Sequence, residues 1–254
     1  MQFLKVYFFQ NLNFGDALNT YILGKLSKKP VVLCHDTKNE EHYMAIGSIA
    51  NWATSKSIVW GTGIASREDK IPHGAKILMT RGPLTAIVAR QCGYDEITTF
   101  GDPALVLPRL YNPKIEKKFK VGFIPHYTDM EFFFNQKENL FPEYKFINVF
   151  DHTEKVIGDI LSCEKIVSSS LHGLIVADAY GIPNLYCKMD NKIGGDGMKY
   201  DDHFQSVGIL PYKPFHIESL LKMSNVDLFN LITDRKPQID IDKMLKCCPF
   251  YVKD

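Results

Sequence analysis

Residues 168–173 read Ser-Ser-Ser-Leu-His-Gly and open an apolar run that stops at Gly181-Ile182-Pro183. Three hydroxyls and one imidazole at the mouth of a helix suit a small, highly charged anion. A helix start carries unpaired amides and a partial positive charge. Ser168, Ser169 and Ser170 add donors, and Gly173 keeps the first turn thin behind Leu171. His172 can pair with a phosphate or carboxylate, or pass a proton. The plainer reading makes Ser170 an N-cap and His172 a structural histidine. On this stretch alone the plainer reading wins.

Three further clusters change the balance. Asn11-Leu12-Asn13-Phe14-Gly15-Asp16 follows a first strand and precedes a helix. There Asp16 can take protons from sugar hydroxyls while Asn11 orients them; equally open is Asp16 as a helix cap. In TRGPLT, Arg81 ends a strand before a proline-opened helix, and arginine is the natural bidentate partner of carboxylate or phosphate. A surface ion pair is the competing explanation. Gly61 and Gly63 of GTGI allow close backbone approach, a weak signal beside the absence of a Walker loop or GxGxxG fingerprint. His126 of IPHY follows a strand in the second half, and Lys199 of MKYDDHFQS is a further cation. Asp201 and Asp202 beside it read as solvating a loop.

These residues need a frame that brings strand ends together. Short Val-, Ile- and Phe-rich runs alternate with helix-like segments, the pattern of a parallel α/β sheet. KVYFFQ, PVVLC, YMAIGSI, SIVWGTG and AKILMTR are the first set of strands. NFGDALNTYILGKLSKK reads as a turn and helix, and GPLTAIVARQCG as a helix with Pro83 at its first turn and Gly93 at its end. PRLYNPKIEKKFK has little periodicity and reads as a linker. The alternation then restarts with strands KVGFIPHY, YKFINVF, KIVSSS and IPNLYCKM, and helices EFFFNQKENLF, TEKVIGDILSC and LHGLIVADAYG. DNKIGGDGMKYDDHFQSVGIL reads as a long functional loop. The division is an N-terminal lobe over 1–108, a linker over 109–119 and a C-terminal lobe over 120–254, with the last helix a candidate to pack back on the first lobe. Two Rossmann-like lobes would hold ligands in the cleft at their strand ends.

Composition narrows the partners. The 254 residues carry a formal net charge of only +1, so no broad basic field points to nucleic acid. The six cysteines form no CxxC pair and read as free thiols of a reducing compartment. No HxH, HExxH or acidic cluster gives metal spacing, so neither metal nor cofactor is expected. No apolar run spans a bilayer and the start lacks the character of a secretory signal, which predicts a cytoplasmic protein.

The order N-x-N-x-G-D, G-T-G, R-G-P-x-T, G-D-P-A, I-P-H, S-x-L-H-G-x-x-x-A-x-A-x-x-x-P and K-x-x-D-x-F-x-S runs from Asn11 to about Ser206. That order resembles the polysaccharide pyruvyltransferase family. The resemblance implies a fold like that of GT-B glycosyltransferases. It also implies pyruvyl transfer from phosphoenolpyruvate to a sugar of a capsular or exopolysaccharide precursor, closing a ketal on two hydroxyls. Galactose bridged through its 4- and 6-hydroxyls is the family-level acceptor, lipid-linked or free, the former giving peripheral membrane contact. Leu171, His172 and Arg81 fall on the family's donor contacts. Several members have arginine directly before the Leu-His pair, where this chain has Ser170, so Arg81, His126, His172 or Lys199 must supply more of the charge. His172 is the expected acid, and Asp16 the group that activates or orients the acceptor. Tyr127, Tyr200 and Phe204 can stack on a sugar or fill core. Two other readings stand beside this one. A nucleotide-sugar glycosyltransferase would use Asp178 near the donor ribose, and a non-catalytic carbohydrate-binding protein would need no facing anion groups.

Overall fold

A computed structural model of the chain describes residues 3–11, 13–136, 141–189 and 194–253. The first lobe runs through β1 (Leu4–Val6), α1 (Phe14–Ser27), β2 (Val31–Leu33), β3 (His42–Met44), β4 (Ser57–Trp60), β5 (Lys76–Met79) and α2 (Pro83–Gln91). Its strands pair in parallel in the order β2-β1-β3-β4-β5. A 3-10 turn, Pro103–Val106, and α3 (Leu107–Leu110) lead out of it.

The second lobe opens with β6 (Phe119–Ile124), α4 (Met130–Gln136), β7 (Tyr144–Phe146), α5 (Thr153–Leu161), β8 (Cys163–Ser168), α6 (Leu171–Ala179) and β9 (Asn184–Lys188). It continues through α7 (Met198–Ser206), β10 (Phe215–His216), α8 (Ile217–Leu221), α9 (Asn225–Leu231) and α10 (Ile241–Lys246). The order β10-β9-β8-β6-β7 is again all parallel. Each lobe is therefore a helix-covered parallel sheet, and the protein is a two-lobed α/β fold.

Local chemistry sets the helix ends that matter. Asn13 caps α1 through its side chain, Pro83 occupies the first turn of α2, and Gly93 at φ 92° takes the left-handed position just past that helix. The lobes share apolar core: Leu18, Ile22 and Leu26 of α1 belong to one cluster with Val156 and Ile160 of α5 and Leu174 of α6. The chain end also crosses back to the first lobe. Trp60 Nε1 donates to the Met244 carbonyl at 3.1 Å, and Phe250 packs edge-on against Trp60 and Tyr43.

One expectation needs correction. Much of the long loop read over residues 190–210 is helix α7; residues 190–193 lie outside the described residues. Its sequence, MKYDDHFQS, has little apolar periodicity, yet Tyr200, Asp202, His203 and Phe204 are all buried. Packing between the lobes, not an amphipathic stripe, holds this helix. The helix over EFFFNQKENLF is described as far as Gln136, and 137–140 lie outside the described residues, as does Leu12. No helix among the described residues is long and apolar enough to cross a membrane.

Candidate active site

A cavity of about 340 Å³ lies between the lobes at the ends of their strands. The first lobe lines it with Asn11, Asn13, Gly15 and Asp16 at the start of α1 and with Gly47 and Ser48 after β3. The second lobe supplies His126 and Tyr127 after β6, Ser170, Leu171 and His172 at the start of α6, and Gly195 and Lys199.

On the second-lobe face, α6 opens without a side-chain cap. Ser170 is the N-cap residue, but its hydroxyl makes no capping bond. The first backbone bond of the helix runs from Leu174 N to Ser170 O at 3.3 Å, so the amides of 171–173 have no acceptor within the helix. Lys199 adds the positive charge. Burial, then the charge of Arg81, pulls its ammonium down to about 8. His126 is not a cation. Burial foremost, then Lys199 and His172, lower it to about 4, so the ring is neutral at pH 7. Its Nδ1 lies 2.7 Å from the Thr128 hydroxyl and 3.4 Å from the Thr128 amide, which hold the ring at the cavity wall.

On the first-lobe face, the start of α1 presents a carboxyl. Asn13 Oδ1 accepts from Asp16 N at 3.2 Å, and its Nδ2 donates to Asp16 Oδ2 at 2.8 Å, a variant of the capping box. The carboxyl is thereby fixed at the cavity wall. Burial raises its pKa, against the opposing pull of His172, Asn13 and Asn11. Gly15 lies directly against His172: a Cβ there would collide with Nδ1 of the imidazole. The other ring nitrogen, Nε2, is buried and faces Asp102 Oδ2 at 3.7 Å. Ser48 is backed by Arg81, whose Nη1 donates to its Oγ at 2.7 Å.

Several residues expected at the donor or at the acceptor, Gly61 and Gly63 among the latter, lie behind the cavity wall. Arg81 is wholly buried, with Nε on Asp202 at 3.2 Å, Nη2 on the Ile64 carbonyl at 2.7 Å and Nη1 on Ser48. It reaches the cavity through Ser48, whose own hydroxyl proton stays available. Gly61 and Gly63 do not line the cavity. Gly61 packs against Pro103, and Gly63 leaves room for the Arg81 guanidinium. Ser169 is also interior: its hydroxyl donates to Asp129 at 2.7 Å and accepts from His126 N at 2.9 Å, holding that histidine in place. Gly173 packs onto Ser168 and Ile124. Tyr200 and Phe204 are core, whereas Tyr127 is 42% exposed at the cavity edge. Asp178 points inward, bonded to Asn184 at 2.5 Å and His203 at 2.8 Å.

Some residues that matter carry little signal in the sequence. Asp202 is not a solvating acid but a buried cap from α7 on α2, accepting from Leu84 N at 2.9 Å and Thr85 N at 3.0 Å. Gly82, the N-cap residue of α2, has no side chain to do so. Asp202 and Leu84 stand 118 positions apart, and no local spacing links them. The available hint is the Gly82-Pro83 helix start itself, which needs a cap from elsewhere. Ser48, beyond the end of β3, and Asp102, in GDPA, likewise carry no local signal of their place beside the cavity. Among the described residues no group of three or more His, Cys, Asp or Glu could hold a metal ion.

The chain matches the family described as polysaccharide pyruvyl transferase over residues 11–191. It is 31% identical to the uncharacterized protein L143 of Acanthamoeba polyphaga mimivirus, over 94% of this chain and 85% of that protein. It is 28% identical to the succinoglycan biosynthesis protein ExoV of Rhizobium meliloti, over 81% of this chain and 64% of ExoV. A solved structure of a functionally uncharacterized Klebsiella pneumoniae protein aligns with a TM-score of 0.44 and 13% identity, over 80% of this chain and 86% of that one. With more than half of its length matched, cleft-lining segments of both lobes included, the chain belongs to the polysaccharide pyruvyl transferase family.

Proposed function

We propose that the protein transfers pyruvate from phosphoenolpyruvate to two hydroxyls of a carbohydrate, forming a cyclic ketal and releasing phosphate. One observation carries the reading: a single cavity has an uncapped helix mouth with Lys199 on one face and the Asp16 carboxyl on the other, with His172 lining it too. Phosphoenolpyruvate is a compact trianion whose two anionic groups need donors from more than one direction. The α6 amides, the Ser170 hydroxyl and Lys199 take one group; Ser48, polarised by Arg81, and the His126 ring take the other.

His172 then protonates the methylene carbon, which becomes the methyl group, and positive charge develops on the central carbon. One sugar hydroxyl adds there and gives its proton to Asp16. The carbon–oxygen bond to phosphate breaks, and the second hydroxyl closes the ketal as its proton leaves with the released phosphate. No metal or other cofactor enters this scheme. Phe9 and Tyr127, 40% and 42% exposed, offer faces to a sugar at the cavity edge. We read the two lobes as GT-B-like, the acceptor as a galactose-type diol of a polysaccharide precursor, and the reaction as cytoplasmic, at the membrane face when the acceptor is lipid-linked. Against a nucleotide-sugar donor stands Asp178, buried in its bonds to Asn184 and His203 rather than open to the cavity.

The test is incubation with phosphoenolpyruvate and a panel of lipid-linked and synthetic glycosides, read by mass spectrometry and phosphate release. A product carrying a ketal-bound pyruvyl group is expected. Consumption of a nucleotide sugar with no use of phosphoenolpyruvate would overturn the reading.

A further inference from the structure

We propose that Asp102 is the positioning residue for His172, a carboxylate from one lobe that fixes the orientation and proton of an imidazole from the other. The inference rests on His172 serving as the acid of the proposed reaction. Asp102 is fully buried. Its Oδ1 accepts from Ala104 N at 2.9 Å, which pins the carboxylate at the start of the Pro103–Val106 turn. Its Oδ2 is buried without a hydrogen-bond partner, and so is His172 Nε2. The two orphaned atoms face one another at 3.7 Å.

Buried polar atoms without partners are rare and costly, and two of them aimed at each other form an incomplete pair. The separation exceeds a hydrogen bond by less than about 1 Å, so a small approach of the lobes completes it. A carboxylate accepts only, so Nε2 must carry the proton, and Nδ1 is left on the Gly15 side. Gly15 matters for the same reason, because any side chain there would push the ring off Asp102. The pair then works as a carboxylate–imidazole unit does elsewhere: the acid fixes the tautomer and stabilises the imidazolium that gives up its proton.

Other charged or titratable groups also face the ring. Asp16 on α1, Lys199 on α7 and His126 after β6 line the same cavity, and His126 is neutral at pH 7. Asp102 differs from Asp16 in having an oxygen that is buried without a hydrogen-bond partner.

Asp102→Asn separates this role from a structural one. Ala104 N–H keeps the amide oxygen, which turns the amide nitrogen toward Nε2 and forces the wrong tautomer. With phosphoenolpyruvate, kcat falls about 10²-fold or more while KM for the donor holds. The alkaline limb of the rate profile, where the acid loses its proton, moves to lower pH, because the imidazolium has lost its anion. NMR titration of the ligand-free protein, with His172 assigned by subtraction of His172→Gln spectra, shows the same fall and a change of tautomer. If Asp102→Asn does not fold, Asp102→Ser keeps an acceptor for Ala104 N–H and faces the same readouts. Wild-type turnover and an unmoved His172 titration in the variant overturn the proposal. Should the wild-type protein release no phosphate, the donor reading fails, and the titration alone decides the pair.

Discussion

Two helices begin at the same cavity, and the chain treats their ends in opposite ways. The start of α1 is closed: Asn13 uses its side chain on the Asp16 amide and carboxyl, and the wall it presents is acidic. The start of α6 is open: Ser170 spends no hydroxyl on capping, and the neighbouring side chain is Lys199. Both ends carry the same backbone charge. What differs is who uses it. At α1 the protein satisfies its own helix and holds a proton acceptor in place; at α6 it leaves donors for a ligand. A cavity between such ends can hold an anion on one side and deprotonate a neutral hydroxyl on the other.

The largest test of that contrast is His172→Ala, which should cost about 10²–10⁴-fold in phosphate release while circular dichroism and thermal melting stay near wild type. Asp16→Asn should lower kcat by about 10²-fold yet leave donor affinity intact, since the α1 side does not hold the anion. Weakened donor binding in this variant would collapse the distinction.

Lys199→Met sharpens the other face. Loss of a charge-assisted contact should weaken phosphoenolpyruvate binding by about 10- to 100-fold, measured by calorimetry. In the wild type, affinity should fall as pH rises past about 8, where the free ammonium loses its proton. The Met variant should show no such fall.

The smallest effects are the most direct comparison. Asn13→Ala removes a working cap and should cost about 1 kcal/mol of stability in denaturant melts. Ser170→Ala removes a hydroxyl that caps nothing, so stability should stay level while donor affinity drops about tenfold. Equal loss of stability in both would mean the two ends are alike after all.

Much of the frame was legible because local rules suffice for it. Short β-branched strands between punctuated helices gave parallel sheets, and Pro83 with Gly93 marked α2. The strand-end positions of Asp16, His126 and Ser170–His172 likewise put them at one cavity. Arg81 shows where this kind of reading stops. Its residue type fits an anion, but whether its guanidinium meets a ligand depends on Asp202, 121 positions away in the chain. The same distance in sequence hid Asp202 itself, which looks like a surface acid beside Asp201 until α7 packs onto α2.

From its residues alone this chain fixes two parallel α/β lobes and the polar groups at their strand ends, because hydrophobic period and helix punctuation act over a few neighbours. Which of those groups stay open to a ligand was decided only in three dimensions. Buried charges must find partners wherever the fold brings them, so Arg81 turned to Asp202 and Ser169 to Asp129, while Lys199 and the α6 amides were left facing the cavity.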